Sequence, residues 1–148
     1  VNYWLVPVQE DVWEVIKETK IYGIDKDIRE IIRPGDRLVF YVTKYYAKMY
    51  GGKVVAIMEV ESDWYEDHKP TFPAERARNI GLYIYRIKVK EIEVGVCDLR
   101  SILKQLTFVE EKDQLAKYLR RVPANLGRPI PENDVKLIQQ CMKEEEFP

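Results

Sequence analysis

The sequence predicts an α+β fold, a curled, barrel-like mixed sheet of about five or six strands with helices packed around it. Three observations predict it. Apolar and polar residues alternate in several stretches before residue 90, Gly- and Pro-bearing turns separate those stretches, and the last third shifts to apolar residues at helical spacing.

NYWLVPV (2–8) reads as a strand that is apolar on both faces, hence central in the sheet. Asp11, with Glu14 three residues on, has the spacing of a capping box for a helix. Val12, Ile16 and Thr19, joined by Trp13 or Val15, give that helix its inward stripe. KIYGIDKD is polar and aperiodic, and a short helical turn carrying Ile28, Ile31 and Ile32 follows. Arg33-Pro34-Gly35-Asp36 has the chemistry of a type II turn, proline presetting φ and glycine accepting the positive φ. It leads into DRLVFYVT (36–43). Gly51-Gly52 marks the next tight connection, before KVVAIMEVE (53–61), where Val54, Ala56, Met58 and Val60 share a face. LYIYRIKVK (82–90) is a third long strand, with Ile87 and Val89 inward and Arg86, Lys88 and Lys90 outward. Leu99, Ile102, Leu103 and Leu106 keep helical spacing behind an Asp98 cap, and Leu115, Tyr118, Leu119 and Val122 repeat it. The connection RRVPANLGRPIP carries Arg120, Arg121 and Arg128, and Pro131 opens a final helix where a missing N–H costs nothing. With no internal repeat or linker, the chain reads as one domain over residues 1–148.

Composition narrows the function classes. The net charge is −1, so a polyanion has to be met by a local basic patch and not by the field of the whole molecule. The charged fraction of 33% leans toward a thermophile surface of ion-pair networks. No apolar run approaches the ~20 residues of a membrane span, and the N-terminus lacks the pattern of a signal peptide, so a cytoplasmic location is expected. Cys97 and Cys141 stand apart with no Cys-x-x-Cys pair, which points to neither a disulfide framework nor a zinc site. His68 is the only histidine; beside Asp63, Glu66 and Asp67 it reads as a solvated loop rather than a ligand set, and neither cysteine stands near it in sequence as a nucleophile. Gly51-Gly52-Lys53 lacks the spacing of a phosphate loop. No catalytic residue, metal or cofactor is expected.

Aromatic residues are the unusual resource. The segment SDWYEDHKPTFP (62–73) sets Trp64, Tyr65 and Phe72 in a stretch with no strand or helix period, and Tyr22, Tyr45, Tyr46 and Tyr50 also fall in connections. Such rings either complete a small barrel's core or form a pocket in which a flat ligand stacks. Lys44, Lys48, Lys53, Lys69, Arg76 and Arg78 near them either hold phosphates or pair with local carboxylates.

Taken in order, the NYWL strand, the Gln-Glu-Asp-Val-Trp helix start, the Tyr22-Gly23 step, PGDRLVFYVTK, the strand into SDWYED and the late NLGRPIPENDVKLI resemble an EVE domain, of the PUA-like superfamily and related to YTH domains. The resemblance implies a barrel-like mixed sheet and a module that reads a modified, methylated base of DNA or RNA in an aromatic cage, without catalysis. Carried across by position, Tyr22 is the cage's first ring; Phe72, with Trp64 and Tyr65 behind it, supplies the second. Tyr41 and Thr43 line the floor, and Gly23 lets the backbone approach the base. Lys44, Lys69, Arg76 and Arg78 are the candidate phosphate contacts. Two departures stand out. Tyr22 occupies a position where relatives usually carry Trp, and Pro7 and Val8 stand where a polar reader of the base edge is common, leaving Gln9 nearest. The rival expectations are a small hydrolase or transferase acting on a nucleotide, and a module that docks a protein partner.

Overall fold

A computed structural model of the chain describes residues 1–125 and 127–144; Leu126, within the late NLGRPIP stretch, lies outside them. The elements run β1 (Tyr3–Val8), α1 (Glu10–Thr19), β2 (Ile21–Ile24), β3 (Arg37–Val42), β4 (Lys53–Val60), β5 (Tyr65–Glu66), α2 (Pro73–Arg78), β6 (Tyr85–Asp98), α3 (Leu115–Leu119) and α4 (Glu132–Glu144). The six strands form one mixed sheet in the order β1-β3-β4-β6-β2, with β5 also on β6. β1 and β3 are parallel; the other pairs are antiparallel. The α+β class and the curled sheet flanked by helices are as the sequence predicts.

Two cores form because the strands are apolar on both sides. Trp4, Val6, Val8, Phe40, Met58 and Ile87 pack with Trp13 and Ile16 of α1. Leu5, Val39, Tyr41, Ile57 and Cys97 pack with Val135, Ile138 and Met142 of α4. The Arg33–Asp36 turn forms as read, with Gly35 at φ 91° and Asp36 N–H donating to the Arg33 carbonyl at 3.0 Å. The Asp36 carboxylate then accepts from Asn2 N, Trp4 Nε1 and Arg33 N at 3.0–3.1 Å, tying the start of β1 to the turn before β3.

Several expectations need correction. β1 ends the strand order and is not central; its double apolar character comes from lying between the two cores, and Pro7 is the edge signal. The capping box at α1 does not form: Gln9 is the N-cap without a side-chain bond, and Asp11 accepts only from the adjacent Val12 N–H. KIYGIDKD contains β2, paired with β6. A register shift between Val54 and Ala56 turns Val54 toward the second core, while Ala56, Met58 and Val60 keep the first. β6 runs on to Asp98, its charged residues past Val89 being wet and partly ion-paired, as in Lys90–Glu59 at 3.2 Å. Leu99–Ser101 and Leu103–Gln105 are 3₁₀ turns and not an α-helix, although Asp98 does cap the first by accepting from Arg100 N.

Arg86 is the largest reversal. Read as outward, it is 1% exposed, because the 65–83 segment covers that part of β6. Its guanidinium donates to the carbonyls of Tyr83 and Lys69, to Thr71 Oγ1 and to Glu75, and lies 5.6 Å from the Phe72 ring centre. Glu75 is fully buried. Burial pushes its carboxyl up, but N–H donors of Phe72, Leu82, Tyr83 and Thr71 together outweigh that and hold it below the ordinary glutamate value.

Cys97 and Cys141, whose spacing points to no disulfide framework, form a disulfide. Sequence spacing does not report distance through space: α4 crosses the end of β6, bringing the two Cα atoms within 5.2 Å. Gly95 permits that approach, since a Cβ there would stand 2.6 Å from the Met142 carbonyl oxygen.

Closing a loop across a sequence separation of 44 contributes about 4 kcal/mol in the chain-entropy picture. The Cys97→Ala/Cys141→Ala variant should therefore melt about 10 °C lower by calorimetry, and reductant should shift the parent protein similarly while leaving the variant unmoved. Glu75→Gln removes the buried counter-charge of Arg86 and leaves only the part-exposed Asp67 carboxylate, 3.4 Å away, and should cost about 3 kcal/mol in urea unfolding at neutral pH. A carboxyl held below its unfolded value contributes stability above that value and loses it as pH falls through the folded one. The gap between Glu75→Gln and the parent should thus hold down to pH 4.5 and narrow only below it.

Candidate functional site

The curled sheet does not close. Its two ends, β1 and β2, face each other across a seam, where Val6 and Pro7 on one side and Tyr22 and Ile24 on the other line a cavity of about 30 Å³. Ile28 and Ile32 of the helical turn and Val122, Pro123 and Ala124 complete it. Tyr22 is buried, its ring edge-on to Phe40 with centroids 5.9 Å apart. Burial, and after it the charge of Asp25, push its phenol well above the ordinary tyrosine value, so it stays a neutral hydroxyl. The lining is apolar apart from backbone groups and that hydroxyl, which suits an uncharged guest. The volume suits a water molecule. Val122–Ala124 are held over it where Lys26 Nζ donates to Asn125 Oδ1 at 3.0 Å and, more weakly, to the Ala124 carbonyl.

Of the rings in the 62–73 segment, Phe72 is the most enclosed. It packs against Tyr83, centroids 6.0 Å apart, and beneath Gly23, where an added Cβ would stand 2.7 Å from Phe72 Cε2. The absence of a side chain at Gly23 therefore admits the Phe72 ring. Trp64 is half-buried against the first core and donates from Nε1 to the Ile32 carbonyl at 2.8 Å, which couples this segment to the turn that lines the cavity. Tyr65, also half-buried, is paired with Arg86 in β5, and burial raises its phenol. The structure thus gathers Tyr22, Gly23, Trp64 and Phe72 around one core.

It places the remaining candidates elsewhere. Tyr41 belongs to the second core, on the other face of the sheet from Tyr22. Thr43 directly follows β3, its hydroxyl enclosed without a hydrogen-bond partner among the described residues. Gln9 is exposed at the start of α1. Lys44, Lys69, Arg76 and Arg78 are all exposed and make no ion pair within the described residues. A larger groove, about 600 Å³, opens against the second core between Leu5, Phe108, Tyr118 and Arg128; there Arg121 lies over the Tyr118 ring at 5.3 Å. Sequence reasoning missed the part played by Ile28, Ile32 and Val122–Ala124, whose only signal is that they are apolar residues in connections. No group of three or more metal-ligating side chains occurs among the described residues, and no helix there is long and apolar enough to cross a membrane.

Comparisons with known proteins fit this geometry. The chain is 54% identical over 143 residues to UPF0310 protein SSO2595 of Saccharolobus solfataricus, covering 97% of this chain and 96% of that one. Its fold is similar to that of the Pho92 YTH domain, solved in complex with m6A (TM-score 0.63, 14% identity, 98% of this chain and 85% of that one). It is similar also to the YTH domain of Zygosaccharomyces rouxii MRB1, solved in complex with N6-methyladenosine RNA (TM-score 0.62, 17% identity, 99% and 89%). Residues 2–141 match the EVE domain, and the chain belongs to that family.

Proposed function

We propose that the protein is a non-catalytic module that binds DNA or RNA through one flipped-out base carrying a methyl-type modification, seated against Tyr22 at the seam between β1 and β2. The observation that carries this reading is a buried neutral tyrosine ring facing an apolar cavity at the open edge of a YTH-like sheet. A stacked base is worth about 1–3 kcal/mol, and a methyl group set among Val6, Ile24, Ile28 and Ile32 adds about 0.8 kcal/mol by leaving water.

Ligand pockets usually hold roughly 300 Å³ or more, so about 30 Å³ is a foothold and not a finished cage. Entry of a base displaces Val122–Ala124, a short segment tethered by the Lys26 contacts and not by sheet pairing. Phe72, locked under Gly23, fixes the backbone that carries Tyr22. Trp64 and Tyr65 are the half-buried rings of the same segment from which a second stacking surface is drawn, while Tyr41, in the second core, has no part in it. Lys44, Lys69, Arg76 and Arg78, which make no ion pair among the described residues, supply phosphate contacts that position the strand without reading it.

Binding of labelled oligonucleotides that differ in one methylated adenine or cytosine, as DNA and as RNA, tests the reading by fluorescence polarisation. The parent protein should favour one modified strand. Tyr22→Phe should keep that preference, because the ring remains. Tyr22→Leu should lose about tenfold in affinity for the modified strand and little for the plain one. Because Tyr22 is a core residue, each variant's melting curve accompanies the measurement. Equal affinity of the parent protein for every modified and plain strand would refute the proposal.

A further inference from the structure

We propose that the connection between β3 and β4 is a second contact for nucleic acid, a stacking platform for unpaired bases beside the recognised one. Tyr45 and Tyr46 would receive the bases, and Lys44 and Lys48 the phosphates. The inference rests on the nucleic-acid reading above and extends it to a surface with no part in selecting the base.

The sequence of this connection, TKYYAKMYGGK (43–53), holds three lysines and no carboxylate in a chain whose net charge is −1. Tyr45 and Tyr46 are 61% and 82% exposed, and Met49 beside them 55%. Every other aromatic residue among the described ones is at least half-buried, so these two rings alone stand free in water. They contact each other, centroids 4.2 Å apart. Tyr46 sits at φ 55°, a left-handed conformation that a bulky residue rarely adopts. Its exposed side chain gives the core nothing in return.

The loop is nonetheless held in shape. Glu10, buried at the start of α1, accepts backbone N–H bonds from Lys48, Met49 and Tyr50 at 2.6, 2.9 and 2.6 Å. Ala47 N–H donates to the Lys44 carbonyl and Lys53 N–H to that of Tyr50. A buried carboxylate thus spends three hydrogen bonds on a loop whose tip is two wet rings. Rings presented rigidly lose little entropy on binding. Their location also fits: β1 and β3 are parallel, with Pro7 opposite Tyr41 and Val8 opposite Val42, so the loop leaves the sheet at the end where Pro7 enters the Tyr22 cavity. The three lysines of the loop outnumber the one carboxylate held against it, Glu10, which is buried beneath the backbone, so the exposed surface favours a polyanion, and exposed rings favour unpaired bases over a duplex, whose bases are already stacked.

The test uses the full chain with unmodified oligo(dT) and oligo(U), the corresponding duplexes, and the methylated strands, each at two salt concentrations. Tyr45→Ala/Tyr46→Ala should weaken binding of oligo(dT) and oligo(U) by about tenfold or more and leave the ratio of modified to plain affinity unchanged. Tyr45→Phe/Tyr46→Phe should bind as the parent does. Lys44→Gln/Lys48→Gln should reduce the salt dependence by roughly two units of log slope at most. Unchanged oligonucleotide affinity in the double alanine variant would overturn the platform. So would duplex binding as tight as single-strand binding, or self-association of the parent in sedimentation that the alanine variant abolishes, which would make these rings an interface between copies. A ring-dependent oligonucleotide affinity with no preference for modified strands would instead sink the Tyr22 reading and leave the platform standing.

Discussion

The buried pair of Glu75 and Arg86 is the constraint on which the 65–83 segment depends. Taking two charges out of water is costly, and attraction alone repays it only when the remaining hydrogen-bonding capacity is also satisfied. Here it is. Glu75 collects four backbone N–H groups, from Thr71 and Phe72 in the middle of the excursion and Leu82 and Tyr83 at its end, and Arg86 reaches two backbone carbonyls, a hydroxyl and the carboxylates of Glu75 and Asp67. A chain segment with almost no regular structure is thereby fixed against β6. Phe72 is pressed under Gly23, and β2 is backed at the residue next to Tyr22. The position of the candidate base-binding ring follows from an ion pair on the other side of that strand.

Glu10 works by the same physics on the connection between β3 and β4. Burial opposes its ionisation, and N–H donors from Lys48, Tyr50 and Met49 reverse the balance so that it stays charged. Both acids stand in for missing secondary structure: each gathers the amides of a loop that no neighbouring strand can satisfy. One organises the loop with Phe72 at its centre; the other organises a loop with its rings in solvent. The contrast between these two aromatic loops, similar in sequence flavour and opposite in burial, separates packing from candidate contact surface more sharply than ring content does.

The sheet was legible where side chains alternate. β1, β3, β4 and the first half of β6 could be read because period-2 patterning survives wherever a core lies on at least one side, and the Arg33–Asp36 turn could be read because proline and glycine fix its geometry locally. What failed was non-local. Arg86 looks like any outward strand cation until a distant segment folds over it, and Cys97 and Cys141 look unrelated until α4 crosses β6. β2 was hidden because four residues carry too little pattern, and the 3₁₀ turns after Asp98 share helical spacing over too few residues to be told apart. At the site, Tyr22 could be singled out only through a family resemblance. The residues that roof its cavity could not, since Val122, Pro123 and Ala124 come from a connection 100 positions later.

The disulfide divides the molecule mechanically. It clasps α4 to β6 within the second core, the half that does not contain Tyr22, so that half is covalently braced. The seam has no such brace and is shut by apolar contacts and the Lys26 tether. A covalent crosslink limits the separation of the elements it joins, so the gap between β1 and β2 is the part of the sheet left to non-covalent closure.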